Sequence, residues 1–277
     1  MLESLAEMVG TLAPIVFPLV MLSQLLLGGL GFIFKLFTPP KIKFHPAGMI
    51  ELGVDTMGPT ISLFGTMQAQ RRNFFITKIE VEAYHEVRKS VDTFEWRAFT
   101  PYVFGFQLEE DVKYELVSAF ALKTSEPFKY NIVFIDDSFI EEVSDEARRL
   151  VEDWKIFRAQ SNMNGIGVSG VSSAEPSHEI RPNSKDERYI QLESFYQQEQ
   201  IQEIAQAWKD RIKWFAGPYQ LTVNVYGAQY KAKHQYQFQL SEKQAETLRN
   251  NVKQIIFALC GERPSYSKAY VSYEANN

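Results

Sequence analysis

The sequence predicts a membrane-anchored α+β protein: one N-terminal transmembrane helix, then an antiparallel β-sandwich with inserted and C-terminal amphipathic helices. Three observations predict it. Residues 12–34 form an apolar run, and no charge lies between Glu7 and Lys35. Several segments after Met49 alternate apolar and polar residues with a period of two. Further stretches repeat their apolar residues at helical spacing.

The apolar run comes first. A helix rises about 1.5 Å per residue, so residues 12–34 are long enough for the roughly 30 Å hydrocarbon core of a bilayer. Within the run only Ser23 and Gln24 are polar. Glu3 and Glu7 precede it, no basic residue does, and no small-residue cleavage site follows, so it reads as an anchor and not a cleaved signal. Pro14 and Pro18 are candidate kink positions, and Gly28, Gly29 and Gly31 are candidates for close helix packing. Lys35, Lys41 and Lys43 on the C-terminal flank place the larger part of the chain in the cytoplasm. A single cysteine, Cys260, excludes an intrachain disulfide and suits a reducing compartment.

The remainder divides into residues 38–160, a first part of the sandwich with a helix, residues 161–188, a polar linker, and residues 189–277, which complete the sandwich or form a second subdomain. Residues 60–70 are strand-like and end at a turn, Arg71-Arg72-Asn73. Residues 74–85 set Ile79, Val81 and Ala83 on one face against Lys78, Glu80 and Glu82, the pattern of a half-buried strand. Phe94, Trp96 and Ala98 repeat it, and residues 111–122 and 128–135 supply two more strands. From Asp137 the period becomes helical through Phe139, Val143, Leu150 and Trp154, with Ser138 and Glu141 spaced as a capping box. Residues 161–188 are too polar to bury a core. A second helix covers residues 190–215. A hairpin follows Gly217-Pro218, in which Tyr230, His234, Tyr236, Phe238 and Leu240 oppose Lys231, Lys233, Gln235, Gln237 and Gln239. Ser241 with Gln244 caps a last helix, stopped at Gly261 and Pro264, and residues 265–273 form an edge strand. In this succession of short strands the chain resembles immunoglobulin-like and arrestin-like sandwiches, in architecture alone.

Signals of chemistry are sparse. Gly165-Ile-Gly167-Val-Ser-Gly170 matches G-x-G-x-x-G, but a helix precedes it and polar, proline-punctuated sequence follows, so the strand-to-helix setting that dinucleotide binding requires is missing. The histidines, His45, His85, His178 and His234, have no metal-ligand spacing. Asp136-Asp137 reads as solvation or capping before cation binding. No phosphate loop, nucleophile elbow or kinase signature occurs, so neither a cofactor nor an enzymatic activity is expected. The net charge of −5 argues against a nucleic-acid surface. The expected partners are the lipid bilayer and a protein, a second copy of the chain included. The reading is a single-pass adaptor or scaffold whose cytoplasmic sandwich binds a protein, with Tyr230, His234, Tyr236, Phe238 and Trp208 as the candidate surface. The alternatives are an oligomeric effector that gates the bilayer through its Pro/Gly helix, and a motif-poor enzyme or ligand sensor.

Overall fold

Period-two alternation dominates the fold. The computed structural model describes residues 23–24, 41–99, 115–116, 118–164, 185–227 and 230–276. The elements run β1 (Lys41–Asp55), β2 (Gly58–Gln70), β3 (Phe74–His85), β4 (Ser90–Phe99), β5 (Glu115–Leu116), β6 (Phe120–Leu122) and β7 (Phe128–Ile135). Helices α1 (Asp137–Asn164), α2 (Lys185–Tyr196) and α3 (Glu199–Arg211) follow, then β8 (Gly217–Gly227), β9 (Tyr230–Leu240), α4 (Glu242–Arg249), α5 (Val252–Leu259) and β10 (Ala269–Asn276).

The strands pair in the cyclic order β4-β7-β2-β1-β10-β9-β8-β3, and β3 returns to β4. Every pairing is antiparallel, and the ring is a closed 8-strand barrel. This corrects the expected immunoglobulin-like or arrestin-like sandwich. In a sandwich β3 would leave an edge; here Glu80 to His85 of β3 bond to β8 on one side and to β4 on the other. Toward their other ends β3 and β4 part, and the short strands β6 and β5 pair there instead. The anticipated strand over residues 111–122 is thus two short pieces.

A second correction concerns the anchor and the membrane placement built on it. Among the described residues no helix is long and apolar enough to cross a membrane. Helix α1 has the length, at 28 residues, but carries charges along all of it. Ser23 and Gln24 are helical; the rest of residues 12–34, with Pro14, Pro18, Gly28, Gly29 and Gly31, lies outside the described residues.

One set of alternating side chains fills the barrel. Ile50, Leu52, Ile61, Ile79, Val81, Phe94, Phe134, Leu221 and Val225 are all buried. Each such aliphatic or aromatic side chain contributes about 1.5–3 kcal/mol by leaving water. An interior filled by side chains is the usual outcome at this strand number. Gly65, at φ 154, is required where β1 crosses β2: a Cβ there would collide with the His45 carbonyl oxygen and lie 2.8 Å from the Tyr130 hydroxyl.

The helices cover the end of the barrel where β1 meets β2. Phe139, Leu150 and Trp154 of α1, Phe195 of α2, Trp208 of α3 and Ile256 of α5 form a buried layer continuous with the barrel interior. Trp208 donates its indole N–H to Glu146 at 2.6 Å, and Arg211 grips the same carboxylate at 2.6 and 2.8 Å, which locks α3 to α1. Trp214 stacks on Phe94 and donates to the Gly53 carbonyl at 3.0 Å. The anticipated helix over residues 190–215 is broken, because Gln198 is extended and α3 starts afresh at Glu199. The last helix is broken too, at Asn250-Asn251. The Ser241–Gln244 capping box forms as its spacing predicts. At Ser138 the cap is different: Asp136 accepts from the Ser138 amide at 3.0 Å and hydroxyl at 2.6 Å.

Candidate binding face at the far end of the barrel

Opposite the helices, the barrel ends at the start of β1 and the start of β9. Strand alternation places Ile42 and Phe44 of β1 inward and leaves Lys41, Lys43 and His45 exposed. On β9, Ala232 faces inward, while Lys231 and Lys233 are exposed. Lys41 is paired with Gln70, so the exposed turn residues Arg71 and Arg72 follow directly beside it. Phe44 and His234 meet inside the wall, ring centroids 4.2 Å apart, and bring the two lysine pairs onto one region of the barrel. On the strand between them the exposed acid is Glu274 of β10, and on the other side of β9 Lys231 leans over the Tyr226 ring, 4.8 Å from its centroid, toward Glu80 and Glu82.

Behind this face lies a small interior chamber of about 10 Å³, walled by Phe44, Ile50, Leu63, Tyr130, Tyr236 and Tyr273. That volume suits about one water molecule. Tyr273 accepts a hydrogen bond from the Gly48 amide at 3.0 Å. Burial, and then the neighbouring phenols, push the Tyr130 hydroxyl well above its ordinary range, and burial with Tyr273 does the same to Tyr236. Burial lowers the His234 pKa, so this imidazole is neutral at pH 7. The chamber sets neutral phenols in an apolar shell.

The five residues expected to form an interaction surface are placed inward. Trp208 is 0% exposed within the helical layer, Tyr236 is 6% exposed and Phe238 5%. Phe238 stacks on Tyr219 with centroids 5.0 Å apart, and Tyr230, partly buried, meets Phe74 edge-on at 5.7 Å. His234 is half-buried against Phe44. The physical reason is the register of the β8–β9 hairpin: the apolar residues of β9 pair with Leu221, Val223 and Val225, whose faces turn into the barrel. The opposite, lysine- and glutamine-bearing face is the one that meets solvent. Sequence reasoning missed this face. Its signal is the repeated Lys-x-Lys of residues 41–43 and 231–233, far apart in the chain and joined only by the barrel.

The remaining sequence candidates find structural places. Asp136 is buried and caps α1, and Lys213 reaches it at 3.6 Å and the buried Asp92 at 3.2 Å, a polar knot beneath the helices. The His85 ring stands 3.1 Å from the Ala216 carbonyl through Nε2 and accepts from the Arg88 amide at Nδ1. Burial pushes the Cys260 thiol up to about 12, which keeps it unreactive. The motif at residues 165–170 and His178 lie outside the described residues. Among the described residues no group of His, Cys, Asp and Glu is arranged to hold a metal ion. Comparison with known protein families, with curated proteins and with solved structures finds no match.

Proposed function

We propose that the chain is a non-catalytic binding module that recruits a protein partner through an acidic segment of that partner, at the far-end face. The observation that carries this reading is the gathering of Lys41, Lys43, Arg71, Arg72, Lys231 and Lys233 at one end of a chain whose net charge is −5. Local fields of this kind steer an oppositely charged partner and raise its association rate. The lysines of β1 and β9 project from the side of the barrel, which suits a chain lying along the wall.

The test is fluorescence anisotropy of labelled polyglutamate against the full chain at low and high salt. Binding is expected at low salt and should weaken steeply by 0.5 M, where screening acts within a few ångströms. Reversal of Lys41, Lys43, Lys231 and Lys233 to glutamate should raise the dissociation constant about tenfold or more, since each exposed pair contributes roughly 0.2–1 kcal/mol. Unchanged affinity in that variant would overturn the reading. So would capture by phosphatidylserine vesicles with no affinity for polyglutamate.

A further inference from the structure

The pairing pattern of the barrel specifies how such a segment lies. We infer that it binds as an added β-strand between the first residues of β1 and the first residues of β9, in line with β10. The inference rests on the binding face proposed above and names the binding mode.

A strand inside a sheet has two hydrogen-bonding edges. One edge of β1 is bonded to β2 from Lys41 to Pro46 and again from Ile50 to Asp55. Its other edge is bonded to β10 only from Met49 to Leu52. Likewise one edge of β9 is bonded to β8 from Tyr230 to Leu240, whereas β10 pairs with it only from Gln235 to Phe238. Strand β10 therefore bridges its two neighbours for part of their length. Beyond it, residues 41–44 of β1 and residues 230–234 of β9 present edges that no strand among the described residues covers. Open backbone edges of this kind are templates for strand addition.

The side chains around the slot define its occupant. A strand there continues the line of β10, antiparallel to both neighbours as β10 is. Its inward residues meet the Phe44 and His234 rings, so small or branched apolar side chains fit, as Ala269 and Val271 do earlier on that line. Its outward residues fall between Lys41 and Lys43 on one side and Lys233 on the other, with Lys231 leaning over the Tyr226 ring of β8, which selects Asp or Glu. At about 3.4 Å per residue the slot takes roughly five residues. The partner segment is thus a short extended stretch that alternates acidic and apolar residues.

The test uses the full chain and an acetylated, amidated octapeptide of alternating Glu and Val, beside an analogue N-methylated at every second backbone nitrogen. Both peptides carry the same charge. The parent should protect the amides of residues 41–44 and 230–234 from hydrogen exchange. N-methylation should weaken binding by at least tenfold, because several backbone hydrogen bonds are lost together. Affinities within a factor of two of each other, with no protection at those amides, would overturn strand addition while salt-dependent polyglutamate binding left the acidic-partner reading standing. If no acidic probe binds at all, both fall.

Discussion

Replacement of Asn251 by alanine probes how the helices are fastened to the barrel. Asn251 stands at the break between α4 and α5 and is 2% exposed. Its side-chain amide donates to the Val54 carbonyl at 3.2 Å and the Ser267 carbonyl at 2.7 Å, and its oxygen accepts from the Ser267 amide at 2.9 Å. One side chain thus ties the helical pair to the end of β1 and to the approach into β10. A typical hydrogen bond contributes a net 0.5–1.5 kcal/mol, and a buried group left unpaired costs about 1–3 kcal/mol. Ser267 is exposed, so water recovers part of the loss on its two groups, whereas Val54 lies in the interior. The expected cost of Asn251→Ala is about 2–4 kcal/mol. Urea unfolding of the full chain, followed by tryptophan fluorescence, measures it as a lower midpoint at constant slope. Asn250→Ala is the control, since Asn250 is exposed, and it should change stability by less than about 0.5 kcal/mol. A loss below about 1 kcal/mol for Asn251→Ala, or equal losses in the two variants, would refute the reasoning.

Two predictions concern pH. The Arg211 guanidinium, with help from the Trp208 indole, holds the Glu146 carboxyl below its ordinary value of 4.5. A lowered folded pKa means that this contribution is complete above 4.5 and is lost as pH falls below it. Glu146→Gln should therefore flatten part of the decline in urea midpoint between pH 5 and 3, by no more than about 1 kcal/mol because the pair is partly solvated. An unaltered acid limb would count against the clamp. At the alkaline side, Tyr130, Tyr236 and Tyr273 all ionise above the ordinary 10.0, chiefly because of burial. The unfolded chain then releases protons that the folded chain keeps, so stability falls as pH rises past 10. Phenolate absorbance should develop in two phases, the second together with loss of far-ultraviolet signal; titration of every tyrosine near pH 10 with the fold intact would contradict the buried chamber.

Much of the local structure was legible in the chain. The alternation of residues 74–85 and 230–240 announces strands, and both form. Ser241 and Gln244 announce a helix start through a reciprocal pair of hydrogen bonds, and Gly261, at φ 88, ends the helical pair with the Glu262 amide bonded back to the Phe257 carbonyl. The start of β1 was harder to read because Pro46 and Gly48 interrupt its alternation, where the structure has a register shift between Pro46 and Ile50. The breaks at Gln198 and Asn251 carry no proline or glycine. The second is held by bonds to Val54 and Ser267, partners that a helical period does not reveal.

The candidate site was legible only in half. The inward row of β9 was visible as a row of aromatic and apolar residues, yet whether such a row is core or surface depends on what lies across from it. The answer is β8 and the filled interior of the barrel. The lysines of residues 41–43 and 231–233 are ordinary solvent-facing positions in their own strands. They acquire meaning because β1 and β9 flank the same short strand, β10.

By itself the sequence determined which residues alternate, where helices begin and which side chains avoid water, since those preferences act over a few neighbouring residues. Tertiary structure alone decided that the sheet closes through β3 and β4 into a barrel, that the aromatic row of β9 turns inward, and that two distant lysine pairs lie on the strands that flank β10. Closure, facing and adjacency all depend on which strands meet across long stretches of chain, and a period of two is the same for every partner a strand could take.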